Sequence, residues 1–376
     1  RGPADVTNSQ AIITSYSPYR PFTSIQESGL YIKELENSEL TYEKKHELNI
    51  GADMGFLNNR INLAVDWYKR NNYDLIGIVN TQGAGGQILK YANIASMKSH
   101  GIEFTLSTKN IKTKDFNWNT DFIFSNAKNE VTDLKQNANV MELISGNGFA
   151  KQGYPVRGLF SIPFVGLDKD GIPVIINEKG EATSTDINFQ ERQNTGFLKY
   201  EGPTDPTITG SLGNMFSYKG FRLNLFITYS FGNVIRLNPV FKAYYSDLTA
   251  MTREFKNRWT LPGDEAKTNV PAILSKRMYD SNEDLKYAYN AYNYSTERIA
   301  KGDFIRLKEI SLAYDFPKAW INPLKLTDLS LKVQATNLFL IYADDKLNGQ
   351  DPEFFNAGGV ASPVPRQFTI TLRLGL

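Results

Sequence analysis

The last eleven residues of the chain alternate strictly between apolar and polar side chains. The apolar positions are Phe368, Ile370, Leu372, Leu374 and Leu376, and the residues between them are polar or, in one case, glycine. Because successive side chains of a β-strand point to opposite faces, this alternation predicts a strand with one apolar and one polar face. A chain that ends in such a strand is typical of an outer-membrane β-barrel.

The clearest repeat of this pattern covers residues 221–231. Its apolar face is formed by Phe221, Leu223, Leu225, Ile227, Tyr229 and Phe231. Aromatic side chains occupy both ends of the row, where the interfacial girdles of a membrane barrel lie. A strand of this length, tilted by about 45°, spans roughly 25 Å, the height of the apolar band. The same alternation predicts strands at about 46–56, 61–68, 102–107, 116–125, 208–218, 303–316 and 327–341.

Short and long connections alternate along the chain. The short ones are residues 57–59, 109–115 and 219–220, and the long ones are about 72–97, 129–207, 233–302 and 342–365. This asymmetry is that of short periplasmic turns and long extracellular loops. Structureless loops longer than about 15 residues are uncommon in compact soluble domains. Within the second long connection, the turn signatures at 168–171 (DKDG) and 177–180 (NEKG) predict small hairpins.

The composition agrees with a barrel and excludes several other classes of protein. Hydrophobic residues make up 41% of the chain and the mean hydropathy is −0.38, as expected when only alternate residues face lipid. The sequence has no apolar run of about 18 residues that would predict a membrane helix. The net charge of +2 does not point to a nucleic-acid partner. The absence of cysteine excludes disulfides and thiolate metal sites.

About nine strands are predicted, and they imply that the barrel is incomplete. Bacterial single-chain barrels usually have an even number of strands and end in the periplasm. An odd number of strands is therefore expected to precede residue 44, and we expect the sequence to lack an N-terminal portion. Residues 1–43 are predicted to be an extracellular loop leading into the barrel, and residues 44–376 the C-terminal part of the barrel.

A series of short motifs carries a family resemblance. They are LTYE at 40–43, NIGAD at 49–53, GFLNNRI at 55–61, DWY at 66–68, DLI at 74–76, NI at 93–94 with GIE at 101–103, RW at 258–259 with PGD at 262–264, GDFIRLKEISLAY at 302–314, TNLF at 336–339 and GQDPE at 349–353. Each motif is weak alone. In this order and spacing they resemble the SusC/RagA family, which are TonB-dependent outer-membrane transporters of Bacteroidota.

The resemblance implies an all-β fold, a transmembrane antiparallel barrel of about 22 strands of which this chain is the C-terminal nine or so. It implies import of glycans or oligopeptides across a lipopolysaccharide-containing outer membrane. The implied partners are a SusD-like lipoprotein that closes the extracellular mouth, and TonB–ExbB–ExbD, which would act through the missing N-terminal part. The plug domain and the TonB box have no counterpart here. Such barrels often end in an aromatic residue, whereas this chain ends in Leu376.

Two other functions remain open on the sequence. One is a SusC-like barrel that serves as a scaffold in a larger envelope complex and imports nothing. The other is a siderophore-type importer that works without a lipoprotein lid. A copurifying lipoprotein would distinguish the lidded from the lidless form.

Tyrosines crowd the 233–302 connection and are candidate contacts for a substrate or a lid. They are Tyr244, Tyr245, Tyr279, Tyr287, Tyr289, Tyr292 and Tyr294. A tyrosine offers an apolar ring face for stacking and a hydroxyl for hydrogen bonding. The alternative is that these rings pack the loop and anchor it at the membrane interface. Polar residues of the predicted strands are expected to line a hydrated lumen: Glu47, Asp53, Asp66, Glu103, Asp121 and Arg222.

No catalytic or metal-binding pattern is recognisable, so neither an enzyme nor a cofactor is predicted. The two histidines, His46 and His100, lie in separate predicted strands and form no HExxH motif. The glycine-rich residues 83–86 lack the pattern of a phosphate-binding loop and predict a flexible extracellular loop. Carboxylates at 344, 345, 351 and 353 could supply Ca²⁺ ligands, but their spacing matches no EF-hand, and a solvated loop is predicted instead.

Overall fold

The computed structural model describes residues 12–16, 29–34, 37, 39–80, 83, 89–240, 251–355 and 365–375. The strands are β1 (Ile12–Tyr16), β2 (Gly29–Glu34), β3 (Lys44–Phe56), β4 (Ile61–Asn80), β5 (Leu89–Lys112), β6 (Phe116–Leu134), β7 (Gly158–Ser161), β8 (Phe164–Leu167), β9 (Pro173–Ile176), β10 (Ala182–Thr183), β11 (Lys199–Pro203), β12 (Ile208–Tyr218), β13 (Phe221–Phe231), β14 (Val234–Arg236), β15 (Ile299–Lys301), β16 (Phe304–Asp315), β17 (Asp328–Ala343) and β18 (Gln367–Gly375). The α-helices are α1 (Val140–Ile144), α2 (Lys276–Ser281), α3 (Leu285–Asn293) and α4 (Lys318–Ile321). Among the described residues, no helix is both long and apolar enough to cross a membrane.

Nine strands form one sheet in the order β18-β17-β16-β13-β12-β6-β5-β4-β3. Every neighbouring pair is antiparallel. The nine predicted strands are thereby confirmed, and each pairs with the next one in the predicted series. Short antiparallel connections at one end of the sheet explain this simple order.

The two faces of the sheet differ in polarity along the whole row of strands. One apolar row crosses eight strands in register: Met54, Leu63, Leu106, Phe122, Leu212, Ile227, Leu307 and Phe339. A polar row crosses the other face: Gly51, Asp66, Glu103, Ser125, Thr209 and Ser230. Residues Ile50 and Ile370 on the apolar face remain 60% and 74% exposed. The predicted two-faced sheet is confirmed, and the described residues leave much of its apolar face uncovered.

The prediction that residues 72–97 form a long loop is wrong. Strands β4 and β5 continue pairing up to Asn80 and Leu89. A register shift between Asn72 and Leu75 accompanies a positive φ of 56° at Asp74. The end of the sheet that carries the long connections is called here its upper end, and the end with the short connections its lower end. The bulge interrupts the alternation of apolar and polar side chains, so the upper half of the β4–β5 hairpin does not follow the pattern of the lower half.

Strand β6 also extends beyond its predicted end, to Leu134. Its upper part pairs with β5, for example Lys98 with Glu130, whose side chains form an ion pair of 3.0 Å. Residues 126–134 are mostly charged or carry side-chain amides. They lack alternating apolar positions, so the sequence pattern did not predict this part of the strand. The second long connection therefore begins at residue 135 rather than 129.

The short connections at the other end are confirmed, except that β5 runs to Lys112 and so shortens the predicted connection 109–115 to residues 113–115. Lys219 and Gly220 have φ values of 45° and 90°, the two positive values that a type I′ hairpin requires. A side chain at Gly220 would place its Cβ 2.8 Å from the carbonyl oxygen of Asp315. Glycine is therefore favoured here for its backbone freedom and for the close approach of β16.

The long connections fold into compact structure of their own. Strand β9 pairs with β8 and with β10, and β7 pairs with β11. The turns at 168–171 and 177–180 close with backbone hydrogen bonds of 3.0 Å from Gly171 to Asp168 and from Gly180 to Asn177. The two hairpins predicted within this connection are thereby confirmed.

Candidate functional site

Residues 135–207, 232–240 and 251–303 are called here the loop cap, and they share one hydrophobic core. Members from both connections are buried together: Ala138, Val140, Leu143, Ile144, Phe160, Ile162, Ile175, Leu198 and Ala291. Helix α1 is fixed at its start by a capping box, in which the side chains of Asn139 and Glu142 accept hydrogen bonds of 2.8 Å from each other's backbone amides. The cap is therefore a packed unit rather than a set of separate loops.

The upper part of β6 holds the cap against the sheet. The amide of Val131 donates to the carbonyl of Tyr154 at 2.9 Å, and the amide of Gly153 donates to the carbonyl of Val131 at 2.8 Å. The side-chain oxygen of Asn129 accepts from the amide of Val156 at 2.8 Å. Val131 and Asn129 both lie beyond the pairing of β6 with β12, so the extension of β6 positions the cap.

A buried arginine joins the two connections of the cap. Arg236 on β14 donates from Nη1 to the carbonyl of Ser295 at 2.9 Å and from Nη2 to the carbonyls of Ile144 and Phe160 at 3.2 and 2.6 Å. Burial lowers the pKa of Arg236 to about 9, while the negative charge of Glu201 opposes that shift. The guanidinium therefore stays charged at neutral pH and is satisfied mainly by carbonyl oxygens.

The candidate tyrosines fall into two structural groups. Tyr289 and Tyr292 on α3 are each only 1% exposed, and the Tyr292 ring meets Phe164 at 5.5 Å between centroids. Burial raises the pKa of the Tyr292 hydroxyl. Tyr279 and Tyr287, in contrast, are exposed on α2 and α3. Two of the candidates are thus core residues of the cap and two lie on its surface.

The remaining tyrosines do not join a single cluster. Tyr294 is half-buried against the core, with the Arg236 guanidinium 5.8 Å from its ring centroid. Tyr244 and Tyr245 lie outside the described residues. The spacing of Leu285, Ala288, Tyr289 and Tyr292 is that of one buried helix face, which was the signal in the sequence that separates core rings from surface rings.

A small polar cavity in the cap was not anticipated from the sequence. It measures about 160 Å³ and is lined by residues that include Gln136, Asn137, Lys151, Gln193 and Thr195. The Lys151 ammonium lies 5.0 Å from the centroid of the Phe160 ring and donates to the Thr195 hydroxyl at 3.2 Å. Burial lowers the pKa of Lys151. Amides, a hydroxyl and a cation in one cavity can bind hydroxyl or carbonyl oxygens of a ligand.

Acidic residues between 344 and 353 make hydrogen bonds to an arginine and to backbone amides. Asp351 accepts from Nη2 of the buried Arg306 at 2.6 Å. Asp344 accepts from the backbone amides of Lys301 and Lys346 at 2.8 and 2.9 Å. No cluster of potential metal ligands is found within the described part of the chain. These carboxylates act as caps and ion-pair partners in this fold.

Polar residues predicted to line a lumen lie on the polar face of the sheet and are partly paired there. Arg70 donates to Glu47 at 2.8 Å, and the Ser107 hydroxyl donates to Asp121 at 2.6 Å. Asp66 and Glu103 stand directly opposite each other on β4 and β5. A face with this mixture of charges and hydroxyls suits contact with water.

Comparison with known proteins shows what the chain is similar to. A TonB-dependent receptor of Formosa agariphila is 25% identical over 368 residues, which is 91% of this chain and 34% of the receptor. The TonB-dependent receptor SusC of Bacteroides thetaiotaomicron is 26% identical over 364 residues, 90% of this chain and 32% of SusC. The chain thus resembles TonB-dependent receptors, SusC among them, over about nine tenths of its length. No protein-family model matches this SusC-like chain.

Solved structures support the fold of the SusC-like chain. The RagAB peptide transporter matches with a TM-score of 0.72 and 24% identity, covering 98% of this chain and 38% of the matched chain. A RagAB peptide importer in an "open-open" state matches with a TM-score of 0.73. The SusC-like chain spans about a third of the length of the curated relatives it matches. Its relatives are receptors and transporters by name, in agreement with the expectation that it is not an enzyme.

Proposed function

We propose that the chain forms part of the wall and the mouth of an outer-membrane importer driven by TonB. The observation that carries this proposal is the nine-stranded sheet, whose apolar row stays in register across eight strands while residues such as Ile50 and Ile370 remain exposed. A soluble sandwich would cover that face with a second sheet, whereas lipid covers it in a membrane barrel. The similarity to SusC, a TonB-dependent receptor, supports TonB as the source of energy for import.

The loop cap is proposed to face the cell exterior and to contact substrate or a SusD-like lipoprotein lid. Apolar side chains exposed on the cap support a role in contact with a partner: Phe149, Val165, Leu261, Ile273, Tyr279 and Tyr287. Scattered exposed apolar residues are ordinary on a protein surface, so the lid itself rests on the kinship with SusC and on the similarity to RagAB. The substrate is proposed to be a glycan or an oligopeptide.

Surface labelling of the full-length receptor in intact cells tests the orientation. Cysteine is introduced by Lys169→Cys in the cap or by Lys114→Cys in a short connection, both exposed positions. A membrane-impermeant maleimide should label the first variant and not the second. Reversed labelling would refute the orientation, and labelling of both only after lysis would place the cap inside the cell envelope.

Uptake by the native complex tests the function. Cells that contain the full-length receptor should accumulate labelled oligosaccharide or oligopeptide, and accumulation should stop when TonB is removed. The purified receptor should carry a stoichiometric lipoprotein. A complex without lipoprotein that still imports would favour the lidless importer, and a complex that imports neither substrate class would favour the scaffold.

A further inference from the structure

The short-connection end of the sheet concentrates positive charge. Its segments 57–60, 109–115, 219–220 and 316–327 hold seven basic residues and one acidic residue, Asp115. The seven are called here the basic rim: Arg60, Lys109, Lys112, Lys114, Lys219, Lys318 and Lys325. The whole chain has a net charge of only +2, so this excess is a local segregation of charge.

Backbone hydrogen bonds place these segments side by side. The amide of Lys109 donates to the carbonyl of Arg60 at 2.8 Å, and the amide of Lys219 donates to the carbonyl of Asp115 at 3.2 Å. The amide of Asp315 donates to the carbonyl of Gly220 at 2.9 Å, which joins the last segment to the third. The basic rim is therefore continuous along the lower edge of the sheet.

The charges of the basic rim are exposed and are not neutralised by neighbouring carboxylates. Within the described ranges, none of the seven forms an ion pair, whereas Arg222 and Arg373 at the same end pair with Asp315 and Asp328. In the part of the chain that the structure describes, the Arg60 guanidinium donates to the carbonyls of Lys109 and Asn110 and to no carboxylate. Like charges along one edge repel each other, so an anionic surface would stabilise this edge.

A row of aromatic rings lies next to the basic rim on the strand ends. Trp118 stacks on Phe216 at 5.6 Å, and Phe221 packs on Tyr314 at 4.4 Å. Trp320 on α4 is 62% exposed, although Phe316 lies 6.4 Å away. Aromatic rings favour the boundary between hydrocarbon and headgroups, and lysines beyond them extend their ammonium groups to headgroup level.

We propose that the basic rim binds the anionic phospholipid headgroups of the leaflet that this end of the sheet faces. The recognised chemistry is the phosphodiester anion of a lipid such as phosphatidylglycerol. The adjoining aromatic row favours a lipid surface over a soluble acidic protein, because the exposed Trp320 ring belongs at a hydrocarbon boundary. The inference rests on the membrane placement proposed above but not on import.

Lipid retention by the full-length receptor tests the proposal. The receptor is reconstituted in nanodiscs of phosphatidylethanolamine with a minority of phosphatidylglycerol, and the lipids that remain bound are counted by native mass spectrometry. The wild type should retain phosphatidylglycerol in excess of its bulk share. Neutralising four rim lysines should lower that excess about tenfold. The substitutions are Lys112→Gln, Lys114→Gln, Lys318→Gln and Lys325→Gln.

Matched variants separate headgroup binding from general charge and from folding. Four exposed lysines far from the rim, changed to glutamine, should leave retention unchanged: Lys169, Lys256 and Lys276 of the cap, and Lys346 of the connection that follows β17. The four rim lysines changed to arginine should retain phosphatidylglycerol as the wild type does, even if the glutamine variant folds poorly. A wild type with no preference for phosphatidylglycerol would overturn the proposal, as would equal losses in rim and cap variants. Salt-sensitive binding of a soluble acidic protein without any lipid preference would assign the rim to that partner instead.

Discussion

The guanidinium of Arg236 donates to the carbonyl oxygen of Phe160 at 2.6 Å, across a separation of 76 residues in the chain. With its bonds to Ile144 and Ser295, this contact places one charge at the junction of α1, β7 and the end of α3. Among the described residues, no carboxylate accepts a hydrogen bond from it. Arg236 thus binds carbonyls from three segments of the cap, although that of Ser295 also accepts from the amide of Arg298 at 3.1 Å, so the packing of the cap depends on this side chain.

Arg236→Met should loosen the cap while leaving the sheet intact. Each carbonyl left without a donor costs about 1–3 kcal/mol, and removing a buried charge offsets part of that loss, so a net destabilisation of about 2–5 kcal/mol is expected. Hydrogen–deuterium exchange should become faster in residues 140–144 and 158–161. Arg192→Met is the control, because Arg192 is exposed and pairs with Glu142 at 3.7 Å. Equal protection in both variants would contradict the bridging role of Arg236.

The two groups of tyrosines should respond differently to alanine. Tyr289→Ala should destabilise the cap by about 3–5 kcal/mol, because a fully buried ring leaves a cavity. Tyr287→Ala, on the exposed side of the same helix, should change cap stability by less than about 0.5 kcal/mol and act only on ligand or lid binding. Thermal unfolding of the cap and binding affinity, measured on the same samples, check the division. A large loss of stability in Tyr287→Ala would show that this ring is structural.

The faces of β13 should differ in their tolerance of charge. Leu225→Arg should cost about 2–4 kcal/mol if the side chain meets the middle of the bilayer, whereas Asn224→Arg should be nearly neutral on the polar face. Asn224 lies opposite Ser311 and its amide is 3.4 Å from Glu309, which can accept a new cation. Refolding into lipid vesicles, followed by the heat-dependent shift in gel mobility, reports the difference. Similar refolding of the two variants would argue against the assigned facing.

Lys151 should give the cap an alkaline pH dependence. Burial lowers its pKa below the ordinary 10.5, so the buried ammonium destabilises the folded cap at every pH below the lowered value. As the pH rises from that value toward 10.5, the folded state loses its proton before the unfolded state does, and cap stability should increase. Lys151→Met should remove this increase, as measured by exchange protection between pH 8 and 10. An unchanged slope in Lys151→Met would assign the pH dependence to other groups.

The sequence predicted the part of the sheet in which apolar and polar side chains alternate strictly, so that all apolar positions of a strand share one face. Residues 221–231 were predicted with their observed bounds, because an apolar side chain stands at every second position there and all six of these face one side. The upper halves of β4 and β5 were missed, since the register shift near Asp74 interrupts the alternation of apolar and polar side chains that holds below it. Local pattern thus identified the strands within the apolar band and not their extensions.

The cap could not be deduced in the same way. Its decisive contacts join distant residues, such as Arg236 and Ile144, and no local spacing encodes them. The tyrosines illustrate the limit: their shared composition suggested one cluster, whereas α3 places Tyr289 inside and Tyr287 outside. Only the spacing along the helix contained that information.

Because the strands differ in length, the upper edge of the sheet is oblique rather than level. Strand β5 has 24 residues and β13 has 11, although their lower ends lie on the same edge of the sheet. With a rise of about 3.3 Å per residue and a tilt of about 45°, the wall near β5 stands roughly 30 Å taller than the wall near β13. In the importer proposed above, a solute arriving over β4 and β5 would have to cross a taller wall than one arriving over β12 and β13, so the lengths of the strands alone would make entry directional.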